Sequence, residues 1–216
     1  MPASKDSLHG RLRAATRSLH DELEGAVEIE RRVRTRQGYV NHLVQLWRLH
    51  VAAENALRRL NFEPLGFVYP SPHRARLLET DLAFFGVGEE ELARLRLAKA
   101  PSLQTIAEGL GCMYVVEGSA KGARAILPKI REVLGLTSGE GASFFAGTRD
   151  TVPLWHAVLA AIDRFPPWSR EGDEAVSAAI DTFAMFREGL VRFETGISAR
   201  PASGAAERSQ RHPIAS

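Results

Sequence analysis

Apolar residues along this chain recur at helical rather than alternating spacing, and glycines and prolines fall mostly between the periodic segments or at their ends. That pattern predicts an all-α protein. Leu8, Leu12, Ala15, Leu19 and Leu23 form one stripe on a first helix that Asp6 or Ser7 can cap and that ends near Gly25. A second, long helix is predicted from Thr35 to Leu60, with Val40, Leu43, Val44, Trp47, Val51 and Leu57 on its buried side. The stretch from Asn61 to Pro70 breaks it. Ser71 followed by Pro72 offers a cap and an N-terminal proline for a third helix, which continues through Leu77, Leu78, Leu82 and Phe85 to Gly86. Glu89 to Leu97 predicts a short one.

With Ser102 as cap, a helical pattern then extends through Tyr114 and Ala125 toward Leu134. Gly109, Gly111, Gly118, Gly122 and Pro128 interrupt it, which predicts a bend. Val152 to Phe165 and Glu171 to Phe193, divided by Pro166 and Pro167, complete the set. Residues 1–196 are thus expected to form a single helical domain, and residues 197–216, without apolar periodicity, a disordered tail.

Composition narrows the function. The chain has 216 residues, 44% of them hydrophobic, enough for one sizeable core. Its 28 basic and 26 acidic residues leave a net charge of +2, which gives no drive toward nucleic acid. No apolar run approaches the roughly 18 residues of a membrane span, and Met1-Pro2-Ala3-Ser4-Lys5-Asp6 lacks the apolar core of a secretion signal, so a cytoplasmic protein is expected. The lone Cys112 cannot form an intramolecular disulfide, and no Cys/His cluster has zinc spacing. A metal would have to arrive inside a cofactor.

Two segments carry chemistry. On the first helix His20 falls at the edge of the apolar stripe, about 100° from its centre, with Arg13 seven residues before it and Glu24 four after on the same side. A neutral imidazole there can coordinate iron while its other nitrogen donates to a carboxylate, and Arg13 can meet an anionic group of the same ligand. An ordinary solvated helix flank has the same composition. In the later segment, Gly118 and Gly122 lie four apart on one face, where missing side chains admit either a flat ligand or a neighbouring helix. Each mid-helix glycine costs about 1 kcal/mol relative to alanine, so a retained pair implies that close approach or a bend is needed there.

Together these segments resemble the haem oxygenase family, particularly its bacterial branch. Leu12-Arg-Ala-Ala-Thr16-Arg-Ser-Leu-His20-Asp-Glu-Leu-Glu24 is similar to the family's proximal helix, and Tyr114-Val-Val-Glu-Gly118-Ser119-Ala-Lys-Gly122-Ala to its glycine-kinked distal helix. The likeness extends over Leu8 to Phe193 and is motif-grade in these two stretches. It implies a haem oxygenase-like bundle that binds haem (iron protoporphyrin IX), both cofactor and substrate. His20 would be the iron ligand and Glu24 its orienting partner; Arg13 and Tyr114 would contact a propionate. Gly118, Ser119 and Gly122 would border the distal pocket, and Phe183 and Phe186 would wall the reacting edge, although core packing explains those two equally well. The family cleaves haem with O2 to biliverdin, carbon monoxide and ferrous iron. Electrons would come from an external donor, a ferredoxin or a flavin reductase, since no nucleotide-binding glycine fingerprint follows a predicted strand. A biliverdin-accepting protein is a further implied partner.

Two departures stand out. Lys121 replaces the usual leucine of bacterial relatives, and Ala123 the second glycine of the commoner pair. Three other readings remain open: a haem carrier or sensor of the same fold without turnover, a di-iron oxidase drawing on Glu22, Glu24, Glu108, Glu117, Asp181 and Glu188, and a hydrolase built on Cys112. The di-iron reading lacks a Glu-x-x-His pair, and Cys112 is predicted on an apolar helix as an inert thiol.

Overall fold

A computed structural model describes residues 6–70, 73–192 and 197. Helix α1 (Leu8–Val27) starts where Ser7 Oγ accepts the Gly10 N–H at 3.1 Å, and it buries Leu8, Leu12, Thr16 and Val27. It ends at Glu28, whose φ of 44° is left-handed, and a single turn α2 (Ile29–Arg32) follows. Helix α3 (Arg36–Leu57), capped by Thr35, is buried on nearly every side and forms the centre of the core.

Two of the following helices take their caps from distant side chains. Helix α4 (Arg74–Phe84) begins beyond Ser71 and Pro72, which lie outside the described residues, and no local side chain caps it. Instead the Glu54 carboxylate on α3 accepts the N–H groups of His73, Arg74 and Ala75 at 2.8, 2.7 and 3.0 Å. After the short α5 (Glu89–Ala93) comes α6 (Ile106–Leu134). Its cap is Thr105, paired with Glu108 in a capping box, rather than the expected Ser102. Helix α7 (Ser143–Ala146), absent from the sequence reading, is capped by Asp81 of α4, which accepts from Ser143 N at 2.7 Å and Phe144 N at 2.8 Å.

Helices α8 (Thr151–Ile162) and α9 (Arg170–Arg192) complete the described chain. Helix α9 packs against α1, α3 and α6, so the two motif-bearing helices share one support. Gly111 shows how closely: a Cβ there would sit 2.0 Å from the Ala175 carbonyl oxygen, so only a glycine lets the α6 and α9 backbones meet. Among the described residues no extended strand forms beyond isolated bridges at Thr137, and no helix is long and apolar enough to cross a membrane. Of the expected tail, Ile197 alone is described; it packs on the core, and its carbonyl accepts from Gln37 Nε2 at 2.6 Å.

Candidate active site

On α1, His20 projects from the partly buried flank and its side chain is 55% exposed. Helical spacing places Glu24 Oε1 3.7 Å from Nε2, and the neighbouring Asp21 Oδ1 lies 3.8 Å from Nδ1. Both separations exceed hydrogen-bond length, so neither ring nitrogen is committed to a protein partner. Phe183 of α9 meets the imidazole edge-on, centroids 6.3 Å apart. Asp21 escaped the sequence reading because it is adjacent in the chain rather than a helical turn away.

Opposite chemistry sits on α6, where Tyr114, Gly118 and Gly122 share a face. Burial pushes the Tyr114 hydroxyl up, opposed by a hydrogen bond with Thr16, which ties α6 to α1, and by the Arg13 charge. A Cβ on Gly118 would touch the Trp155 indole of α8, while one on the exposed Gly122 would meet nothing within 4 Å. Ser119 is exposed and its hydroxyl donates to the Val116 carbonyl at 2.7 Å, which leaves its oxygen free to accept. The Lys121 side chain lies outside the described atoms. Phe183 and Phe186 separate: Phe183 faces His20, and Phe186 packs edge-on against the buried His50 at 5.3 Å.

A second polar group, unseen in the sequence, lies on the buried side of α6. Glu117 is 1% exposed and accepts from Tyr69 Oη at 2.9 Å; its other oxygen is 3.9 Å from His73 Nε2. Arg74, fully buried, lays its guanidinium 4.1 Å from the centre of the Phe144 ring and makes no side-chain hydrogen bond to the protein. Neither nitrogen of His50 has a protein partner either. Burial pushes Glu117 up to about 7 even though Arg74 and Tyr69 pull it down, and burial also lowers His50 and His73. These residues come from α3, the loop before α4, α4 and α6, so no local spacing betrays them. The nearest signal was Glu117 itself, a charge inside an apolar run.

The rival chemistries find no support in this arrangement. Among the described residues no group of three His, Cys, Asp or Glu side chains could hold a metal ion. Cys112 is buried and its thiol is pushed up to about 12 by desolvation, opposite to what a nucleophile needs.

Fold and site define an all-helical protein whose exposed histidine helix and glycine-opened helix both rest on α9. Residues 6–192 match the Heme oxygenase family, and the chain belongs to it. Among curated protein sequences none matches. Solved structures show the same fold. The haem oxygenase of Neisseria meningitidis, determined with NO and CO bound, is 20% identical with a TM-score of 0.72 over 92% of this chain and 97% of that one. That of Leptospira interrogans is 19% identical with a TM-score of 0.66, covering 87% and 100%. The haem complex of haem oxygenase-1 from the cyanobacterium Synechocystis is 20% identical with a TM-score of 0.62, covering 85% and 90%.

Proposed function

We propose that this protein is a haem oxygenase that cleaves haem to biliverdin, carbon monoxide and ferrous iron, using O2 and electrons from an external ferredoxin or flavin reductase. The observation that carries the reading is the accessible His20 imidazole, uncommitted at both nitrogens and supported by Phe183, in a chain of this family. The residues fit the group. His20 is an imidazole donor with free approach, and the bare helix face at Gly122 is open.

Haem supplies the iron and the redox chemistry and is also the ring that is opened. The chain's own residues bind, orient and shield. His20 would ligate the iron through one ring nitrogen, and Glu24 would accept from the other and fix the ring plane. Arg13 and Tyr114 hold a propionate from α1 and α6. Gly118, Ser119 and Gly122 border the opposite face, where the Ser119 oxygen accepts from water because its own proton is spent on Val116. Phe183 would shield the side of the His20 imidazole that it meets edge-on, whereas Phe186 packs on His50 in the core. A protein that accepts biliverdin follows as a partner.

The test is an aerobic absorbance time course of the protein loaded with ferric haem, with reductant and catalase added. Decay of the haem band into a bile-pigment band is expected. A haem spectrum that survives reductant and oxygen would make the protein a carrier, and absence of specific haem binding would overturn the reading.

A further inference from the structure

The His20 imidazole has a carboxylate beside each of its nitrogens, and the two come from different places on α1. Glu24, one turn on, sets Oε1 3.7 Å from Nε2, while Asp21, the next residue, sets Oδ1 3.8 Å from Nδ1. Both acids stand in solvent. The third acid of this stretch is spent elsewhere: Glu22 lies about 200° around the helix from His20 and accepts from Arg187 of α9 at 3.0 Å. Phe183 touches the ring edge-on and carries no acceptor. Asp21 and Glu24 are therefore the carboxylates within reach of the ring.

A neutral imidazole offers one lone pair and one N–H. Iron takes the lone pair, so the nitrogen it takes decides which carboxylate is left facing a donor. Coordination through Nδ1 leaves the Nε2 proton to Glu24, and coordination through Nε2 leaves the Nδ1 proton to Asp21. The two nitrogens differ in access. Nδ1 is bonded to the ring carbon that carries Cβ, so a wide planar macrocycle centred on it runs into the histidine's own stem and the α1 backbone. Nε2 lies at the far end of a side chain that is 55% exposed. We infer that Asp21 is a positioning residue for His20, the acceptor of its Nδ1 proton when Nε2 holds the iron. This rests on the haem-binding reading above and divides a role given there to Glu24 alone. The movement required is small, because Asp21 need close the 3.8 Å separation by only about 1 Å to reach hydrogen-bond length. A charged acceptor at that nitrogen fixes the ring plane and makes the imidazole a stronger donor to iron.

Resonance Raman spectra of the reduced, five-coordinate haem complex read the iron–histidine bond directly. Asp21→Asn and Glu24→Gln each remove one charge from the same exposed helix, so each controls for the general loss of charge in the other. Circular dichroism of both should match the parent, since neither side chain is buried. Asp21→Asn is expected to lower the iron–histidine stretching frequency and to weaken haem binding about tenfold, the low end for a lost partner of a ligating histidine because both groups stand in solvent. Asp21→Glu, which keeps the charge, should bring the frequency back toward the parent, and Glu24→Gln should shift it less than Asp21→Asn does. A shift in Glu24→Gln as large or larger, or none in Asp21→Asn, would overturn the inference. Failure of the haem reading looks different: the parent protein itself would show no His20-dependent haem spectrum.

Discussion

His20 with its carboxylates, and His73 with Glu117, pair the same side chains at opposite extremes of exposure. Around His20 the groups stand in solvent, both ring nitrogens lie beyond hydrogen-bond distance of their carboxylates, and the neighbouring aromatic touches only an edge. Around Arg74 the groups are sealed between α3, α4 and α6, and burial drives His50 and His73 toward neutrality and Glu117 up to about 7. The difference separates an open, solvent-facing group from a sealed one between helices. Substitutions on the buried side should cost stability and those on the open side should cost binding.

The largest expected effect breaks the buried side. Glu54→Ala leaves three helix-terminal N–H groups without their acceptor beside a fully buried arginine, and should cost about 3–5 kcal/mol, read by urea denaturation. A loss below about 1 kcal/mol would mean the α4 terminus finds other partners.

Next comes pH. Glu117 titrates near 7 in the fold against an ordinary value of 4.5, so its stabilising contribution is whole below pH 4.5 and is lost as pH rises through 7. That amounts to at most about 3 kcal/mol. Stability measured at pH 5 and pH 8 should differ by less in Glu117→Gln than in the parent; equal slopes would contradict the assignment.

The glycines of α6 sharpen the comparison further. Gly111→Ala forces a methyl against the Ala175 carbonyl and should destabilise by about 2 kcal/mol. Gly122→Ala meets nothing, so it should leave stability unchanged or raise it by up to about 1 kcal/mol while weakening haem uptake. Thermal melts alongside haem titrations distinguish them, and a destabilised Gly122→Ala would sink the view that this face is open. The smallest effect lies beyond His20, where Glu28 holds φ 44°: Glu28→Gly relieves left-handed strain and should gain about 1 kcal/mol or less, with no change in haem affinity.

Legibility in the sequence follows the same divide. The helices over residues 8–27, 36–57, 151–162 and 170–192 were visible because their apolar periodicity is local, and so were His20, Glu24 and the glycine pair, a few turns apart on single helices. What the sequence hid is assembled across the fold. Glu54 caps a helix twenty residues away, Asp81 caps α7 from α4, and Trp155 reaches Gly118 from α8. The start of α6 was misjudged by three residues because Ser102 and Thr105 both cap well, and Glu108 decides for the second. Of the glycine pair, Gly118 faces the Trp155 indole and Gly122 open space, while tight helix packing belongs to Gly111, outside the pair.

The most direct test of the central claim is the ferric haem spectrum of His20→Ala against the parent, with and without added imidazole. The account predicts that the variant folds normally, loses the histidine-ligated haem spectrum, and regains it when imidazole enters from solvent. An unchanged spectrum in His20→Ala would contradict it.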